Sequence, residues 1–160
     1  MSKSWIGNIP NTHLRDYQRG KVYEAEAACS FWESPKTLLE HSFRQVINQI
    51  ADWGKIQVPK IITEGHELVY ATPTEIVIPY PNTKNRPTVC HEMAHVINYN
   101  TLNADHHGKY FCGTYLLVVK NFISAHAHLE LVKAFEKYKV DYLTSNSIND
   151  ILVVSNKIID

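Results

Sequence analysis

No apolar run in this 160-residue chain is long enough to cross a bilayer. The longest, Tyr115–Val119 and Ile151–Val154, fall far short of the ~20 residues that a spanning helix needs. The opening Met1-Ser2-Lys3-Ser4-Trp5-Ile6-Gly7-Asn8 lacks the apolar stretch of a secretory signal, so the expected address is the cytoplasm, with no membrane partner. Cysteine is scarce: Cys29, Cys90 and Cys112 make an odd set of three without a C-x-x-C pair. They read as free thiols in a reducing compartment, each a small buried hydrophobe rather than a ligand. Net charge is missing too. Sixteen basic and sixteen acidic side chains cancel, which removes any global electrostatic reason to seek nucleic acid or an anionic membrane. There is no internal repeat and no low-complexity segment. Hydrophobic residues at 44% and charged residues at 20% fit a globular protein and exclude a disordered one. A chain of this length is one domain that buries about 70% of its unfolded surface.

What is present is a concentrated motif. His91-Glu92-Met93-Ala94-His95 is followed twelve positions later by His107-Gly108. On a helix, H-E-x-x-H sets two imidazoles one turn apart, about 40° from each other. Two ligands of one tetrahedral Zn²⁺ need that separation. Glu92, beside the first ligand, can reach a metal-bound water without ligating the metal, which is the post of a general base. Pro87 suits the first turn of this helix, and Asn98 and Asn100 end its apolar pattern. The third ligand comes from a crowded stretch. Asp105, His106 and His107 adjoin one another, and Glu130 is a further acidic candidate. His107 is favoured, because glycine follows it and an apolar helix starts there. The metzincin spacing fails, since it needs glycine at Asn98 and histidine at Thr101. His126 and His128 read as residues of an exposed helix face.

Around the motif, periodicity predicts a first helix over Leu14–Trp32, capped by Asn11 or Thr12, and a second over Lys36–Trp53. The second carries a stripe of Leu39, Phe43, Val46, Ile47 and Ile50 and stops at Gly54. The period then changes to that of strands: Val58–Ile62, Leu68–Ala71 and Thr74–Pro79, with a Gly65 turn between the first two. Pro81–Arg86 is a loop into the H-E-x-x-H helix, and helices over Tyr110–Phe122 and Ala125–Tyr138 follow, broken near Ser124. This is an α+β layout, with a small antiparallel or mixed sheet of about three strands packed on the active-site helix. Residues 1–143 form the domain and 144–160 a tail or extra element. The strand ahead of the motif, Ile76–Ile78, is a candidate exposed edge for an extended peptide; a core strand is the alternative.

The amino-terminal segment adds charge and an aromatic to one helical face: Arg15, Arg19, Val22, Tyr23 and Glu26. In one reading Tyr23 donates a hydrogen bond to an oxyanion at the metal while Arg19 or Glu26 orients substrate. In the other the segment is a core helix whose arginine–carboxylate pairs lock it to the sheet. H-E-x-x-H followed by H-G-x-x-F, here His107-Gly108-Lys109-Tyr110-Phe111, resembles the SprT-like group of zincin metalloproteases. The opening Arg15-Asp16-Tyr17-Gln18-Arg19-Gly20-Lys21-Val22-Tyr23-Glu24-Ala25-Glu26 resembles more closely a family of small metallohydrolases from actinobacteria and their phages. The resemblance covers about Leu14–Val140. It implies a minimal zincin fold, with His91, His95 and His107 as ligands and Glu92 as base. The expected function is that of a zinc-dependent hydrolase, a metallopeptidase acting on a peptide or protein. A non-catalytic zinc or partner-binding protein is the alternative, and a SprT-like DNA-associated protease is a further one, which the neutral charge disfavours.

Overall fold

The computed structural model describes residues 16–101, 106–144 and 146–148. The expected caps Asn11 and Thr12, together with Leu14, Arg15, Asp105 and the apolar Ile151–Val154, lie outside the described residues. Among the described residues the architecture is α+β, with helices and a three-stranded sheet. The helices are α1 (Arg19–Ala27), α2 (Glu40–Trp53), α3 (Arg86–Asn100), α4 (Lys109–Phe122) and α5 (Ala125–Lys137). The strands are β1 (Lys60–Ile62), β2 (Tyr70–Ala71) and β3 (Glu75–Val77).

Helix α3, which carries the H-E-x-x-H motif, is the central element. It packs against α2, α4 and the sheet, and every residue from Pro87 to Asn98 is buried. A helix enclosed on all sides shows no amphipathic stripe. Its start is chemically fixed: the Asn85 side chain accepts from the Thr88 amide at 2.8 Å, and Pro87 occupies the first turn. The start of α4 is set by Gly108 in an extended conformation, directly after His107. Ser124 ends the α4 connection by capping α5, its hydroxyl accepting from the Ala127 amide at 3.0 Å.

Several expectations need correction. The first helix is broken: α1 ends at Ala27, Cys29 is extended, and Ser30–Trp32 form a separate 3-10 turn. That turn brings the Trp32 indole N–H to the Tyr115 hydroxyl at 3.0 Å, which a continuous helix would not do. Helix α2 starts at Glu40 rather than Lys36, because Thr37 forms a β-bridge with Asn85 and the Leu38 amide donates to the Lys84 carbonyl. Leu39 therefore lies outside the helix and is 80% exposed, while Phe43, Val46, Ile47 and Ile50 form the buried stripe as expected. The sheet order is β1-β3-β2, with β1 parallel and β2 antiparallel to β3. Ile76–Ile78 is thus no exposed edge: β3 is central, and Ile76 and Val77, with Ile78 just beyond the strand, are fully buried. Two-sided pairing, not the approach of a peptide, accounts for its apolar run.

The three cysteines are buried, and burial pushes the Cys29 and Cys90 thiols up to about 12. Gly65 turns the chain at φ +75°, as its place between strands suggested. Among the described residues no helix is long and apolar enough to cross a membrane. Gly113 of α4 lies against Leu143 and Ile148: a Cβ there would stand 2.7 Å from the Leu143 carbonyl and 3.0 Å from Ile148. Gly20, within α1, has nothing within 4 Å of such a Cβ. The two glycines should therefore respond with opposite signs in urea unfolding. Gly113→Ala should destabilise by about 1–3 kcal/mol through overpacking against backbone, and Gly20→Ala should stabilise by about 0.5–1 kcal/mol.

Candidate metal centre

Three imidazoles meet where the middle of α3 faces the start of α4. The Nε2 atoms of His91 and His95 are 3.2 Å apart, those of His95 and His107 3.2 Å, and those of His107 and His91 3.4 Å. Tetrahedral ligands at about 2.0–2.1 Å from one zinc ion lie roughly 3.3–3.4 Å from each other. The triangle is thus the size of one face of a zinc tetrahedron. All three rings are buried, and among the described residues they form the one group of this kind.

Each ring's second nitrogen explains why Nε2 faces inward. The Nδ1 of His91 is hydrogen-bonded to the Glu26 carboxylate. That of His107 bonds Asp16 Oδ2 at 2.7 Å. An ionised carboxylate only accepts, so each Nδ1 carries a proton and Nε2 is the nitrogen that can offer a lone pair to a metal when the ring is neutral. His95 Nδ1 is buried with no hydrogen-bond partner. Its ring is fixed instead by stacking, with centroids 4.0 Å from Phe111 and 5.6 Å from Tyr99. Gln18 adds a stitch: its amide donates to the His107 carbonyl at 3.0 Å and to the Asp141 carbonyl at 3.1 Å.

The electrostatics follow from burial and these partners. Burial, with the two neighbouring imidazoles, holds His95 far below the usual histidine range. Burial also lowers His107, against the opposing pull of Asp16. For His91, burial acts downward but Glu26 outweighs it and raises the ring to about 9. Burial pushes Glu92 up to about 7, partly offset by His91. Glu92 and His91 line an open cleft of about 250 Å³ together with Tyr23, Glu26, Trp32, Val69, Thr83 and Thr88. The Tyr23 ring lies 5.4 Å from that of His107 and 6.1 Å from that of His91, and Arg19 stacks over it at 5.6 Å.

His91, His95 and His107, expected as ligands, are therefore together, and Glu92 and Tyr23 border the cleft beside them. The other candidates are elsewhere. His106 bonds the Tyr99 hydroxyl at 3.1 Å. Glu130 binds the Ser30 amide at 2.7 Å and the Ser30 hydroxyl. His128 bonds the Leu116 carbonyl at 2.9 Å, and the exposed His126 pairs with Glu130 at 3.2 Å. The arginine–carboxylate lock on the sheet is absent among the described residues, for α1 packs on α5 and its carboxylate goes to His91. Glu26 lines the cleft, and its carboxylate is hydrogen-bonded to His91 Nδ1. Sequence reasoning did not single out Asp16 and gave Glu26 a different role from the one seen here, that of a carboxylate holding an imidazole. The signal was an acid at each end of the amino-terminal motif, but nothing in the spacing said which histidines they reach. Comparison with protein-family models, with curated proteins and with solved structures gave no match.

These observations fit a divalent metal held by neutral imidazoles, and they predict its thermodynamics. One ion per chain should bind, and His91→Ala or His107→Ala should abolish it while His106→Ala should not, as read by metal analysis after dialysis. Glu26→Gln and Asp16→Asn should each weaken zinc binding by about 10–100-fold, because the ring loses its orienting carboxylate. Below about pH 9 His91 carries an extra proton in the metal-free protein. Metal must displace that proton, so affinity falls as pH drops from 9 and about one proton per ion is released near pH 7. Calorimetry in buffers of different ionisation enthalpy measures that number.

Chelation should lower the melting temperature without unfolding the chain. The ligands join α3 to the start of α4, so the ion clamps two elements. Binding to the native state alone adds about 4 kcal/mol at a thousandfold excess over Kd. The apolar core exists independently of the site, so helical circular dichroism should persist at room temperature after the metal is removed. Identical melting curves with and without metal would refute the clamp.

Proposed function

We propose that this chain is a zinc-dependent hydrolase, a metallopeptidase that cleaves a peptide bond in a peptide or protein. The observation that carries the reading is the Nε2 triangle, sized for a tetrahedral ion, with Glu92 and Tyr23 on the same cleft. It agrees with the resemblance of the H-E-x-x-H and H-G-x-x-F segments to zincin metalloproteases. Neutral imidazole donors suit Zn²⁺ among the common metals. Zinc in such a site supplies Lewis acidity, polarising a carbonyl and bringing the pKa of a water toward about 7.

The chain's own groups have distinct tasks. Glu92 takes a proton from the attacking water and returns it to the leaving amine. Its place next to His91, without membership of the triangle, suits a base rather than a ligand. The Tyr23 hydroxyl donates to the oxyanion that develops on the scissile carbonyl. At 44% exposure Tyr23 contributes little to the core, whose α1 members are Val22 and Ala25 with Cys29 just beyond. The apolar faces of Trp32 and Val69 line the cleft and bind the substrate's side chain.

The test is Glu92→Gln, which keeps the shape and removes the base. Against a mixed peptide library read by mass spectrometry, the variant should hold zinc at the wild-type level and lose about 10²–10⁴-fold in rate. Wild-type rates in the variant would overturn the assignment of the base. A zinc-loaded wild-type protein that neither cleaves the library nor binds acetohydroxamate would favour the non-catalytic alternative. Salt-dependent binding of DNA would favour the DNA-associated one.

A further inference from the structure

Gln18, in the amino-terminal motif, does something that its own helix does not call for. It is the N-cap of α1, a position whose side chain normally accepts from the free amides of the first turn, yet it makes no such bond. The carboxamide is spent on backbone outside α1. Its Oε1 accepts from the Asp141 amide at 2.6 Å, and its Nε2 donates to the Asp141 carbonyl at 3.1 Å and to the His107 carbonyl at 3.0 Å. The orientation of the amide has one solution. The Asp141 N–H can meet only an acceptor and the two carbonyls only donors, so oxygen and nitrogen cannot be exchanged. Both N–H groups of the carboxamide are thus committed to carbonyls, one of them that of a ligand.

The His107 carbonyl is the informative partner. The hydrogen-bond ladder of α4 begins one residue later, where the Gly108 carbonyl accepts from the Cys112 amide at 3.0 Å. The helix therefore does not fix the direction of the His107 peptide. Its carbonyl is held by Gln18 and, more weakly, by the Cys112 thiol at 3.4 Å. Two residues before Gln18, Asp16 holds the ring of the same histidine, Oδ2 to Nδ1, at 2.7 Å. One ligand is thus gripped at backbone and ring from a single short stretch, 16–18. The grip extends to the segment after α5, whose Leu143 amide donates to the Lys109 carbonyl at 3.0 Å, two residues beyond the ligand. A purely structural role, tying α1 to that segment, is met by the two bonds to Asp141 and leaves the third unexplained. We propose that Gln18 is a positioning residue of the metal centre. By fixing the His107 peptide it sets the ring where Nδ1 meets Asp16 and Nε2 joins the triangle. The proposal rests on the reading of the three histidines as a metal site.

The experiment is a zinc-affinity cycle on the full chain, read by competition against a chromophoric chelator, with the visible spectrum of the cobalt(II)-loaded protein as the probe of ligand geometry. Each variant is measured where circular dichroism shows it folded, so that lost stability alone leaves the Kd of the folded protein unchanged. Gln18→Met keeps the length of the side chain and removes the amide. It should raise the zinc Kd by roughly 3–10-fold, less than loss of the Asp16 carboxylate, and should shift the cobalt bands. In an Asp16→Asn background the same substitution should cost less than about twofold, because the ring contact that Gln18 serves is already lost. Lys21→Met removes an exposed bond to the Lys139 carbonyl on the same segment, 3.4 Å long, and should change neither quantity. Should Gln18→Met fail to fold, Gln18→Asn decides in its place, since it keeps the amide but is too short to reach both backbones. Equal losses with and without the Asp16 carboxylate would mean a general structural effect and would overturn the proposal, as would an equal loss in Lys21→Met. So would unchanged affinity and unchanged cobalt bands in the Gln18 variant. A wild-type protein that binds no zinc would instead overturn the metal-centre reading, and this proposal with it.

Discussion

A buried imidazole is best set to give its Nε2 lone pair to a metal when its Nδ1 proton has a hydrogen-bond acceptor. In this protein two of the three ligand rings meet that condition through carboxylates on a distant part of the chain, Glu26 for His91 and Asp16 for His107. Much of the remaining architecture follows from bringing those acids in. Helix α1 has nine residues, too few to be stable in isolation, and must be held by tertiary contacts. It packs on α5, and Gln18 bonds both the His107 carbonyl and the backbone at Asp141, tying the start of the helix to both sides of the site. Two of these anchors are then close to the metal ligands themselves. Folding of the amino-terminal segment and assembly of the site are accordingly one event.

The second constraint is that α3 is enclosed. Helices that carry polar groups normally turn them to water, yet His91, Glu92, His95 and Asn98 are all buried. Burying them without partners would cost several kcal/mol. The structure offsets this by grouping the polar residues on the side facing α4 and α1 and leaving Val89, Met93, Val96 and Ile97 to the apolar core. Phe111 serves both functions. It lies in the core cluster and stacks on the His95 ring at 4.0 Å, fixing the one ligand whose Nδ1 has no hydrogen-bond partner. Sequence distance is bridged in the same way at His107. The extended Gly108 starts α4 immediately after it, so the ring projects from a rigid helix end.

How much of this could be read from the sequence depends on whether the signal is local. The ligand pair and its helix were legible because i, i+4 spacing fixes geometry within one turn, and the proline and asparagine signals bounded the helix correctly. The stripe of α2 was legible for the same reason. Where tertiary contacts overrule local preference, the reading failed. Leu39 belongs to the apolar period of α2 but is spent on the link that pairs with Asn85 and Lys84. The break after Ala27 has no proline or glycine to announce it, since it exists to bring Trp32 to Tyr115. A run such as Ile76–Ile78 is equally apolar at the edge or the centre of a sheet, and only pairing decides which. The choice of His107 over His106 was legible through the glycine, but the role of Asp16 and Glu26 was not. Partners far apart in sequence leave no spacing to read.

The charge balance of the site bears on what it can accept. Asp16, Glu26 and Glu92 bring three carboxyl groups close to the three imidazoles, and Arg19 over Tyr23 is the cation beside them. Two of those carboxylates stand behind imidazoles, so a dication bound in the triangle would be neutralised by the site's own groups rather than by a substrate. Excess positive charge, which would draw phosphate or carboxylate groups, is then missing from the cleft, and an anionic ligand would meet the field of Glu92 and Glu26 at the cleft wall. A neutral amide carries no such penalty. It offers the carbonyl oxygen that a Lewis acid can polarise and the nitrogen that Glu92 can protonate. The apolar faces of Trp32 and Val69 take an uncharged side chain without desolvating an ion. Under the proposed metallopeptidase reading, the acids that orient the three imidazoles also favour an uncharged amide over an anionic substrate.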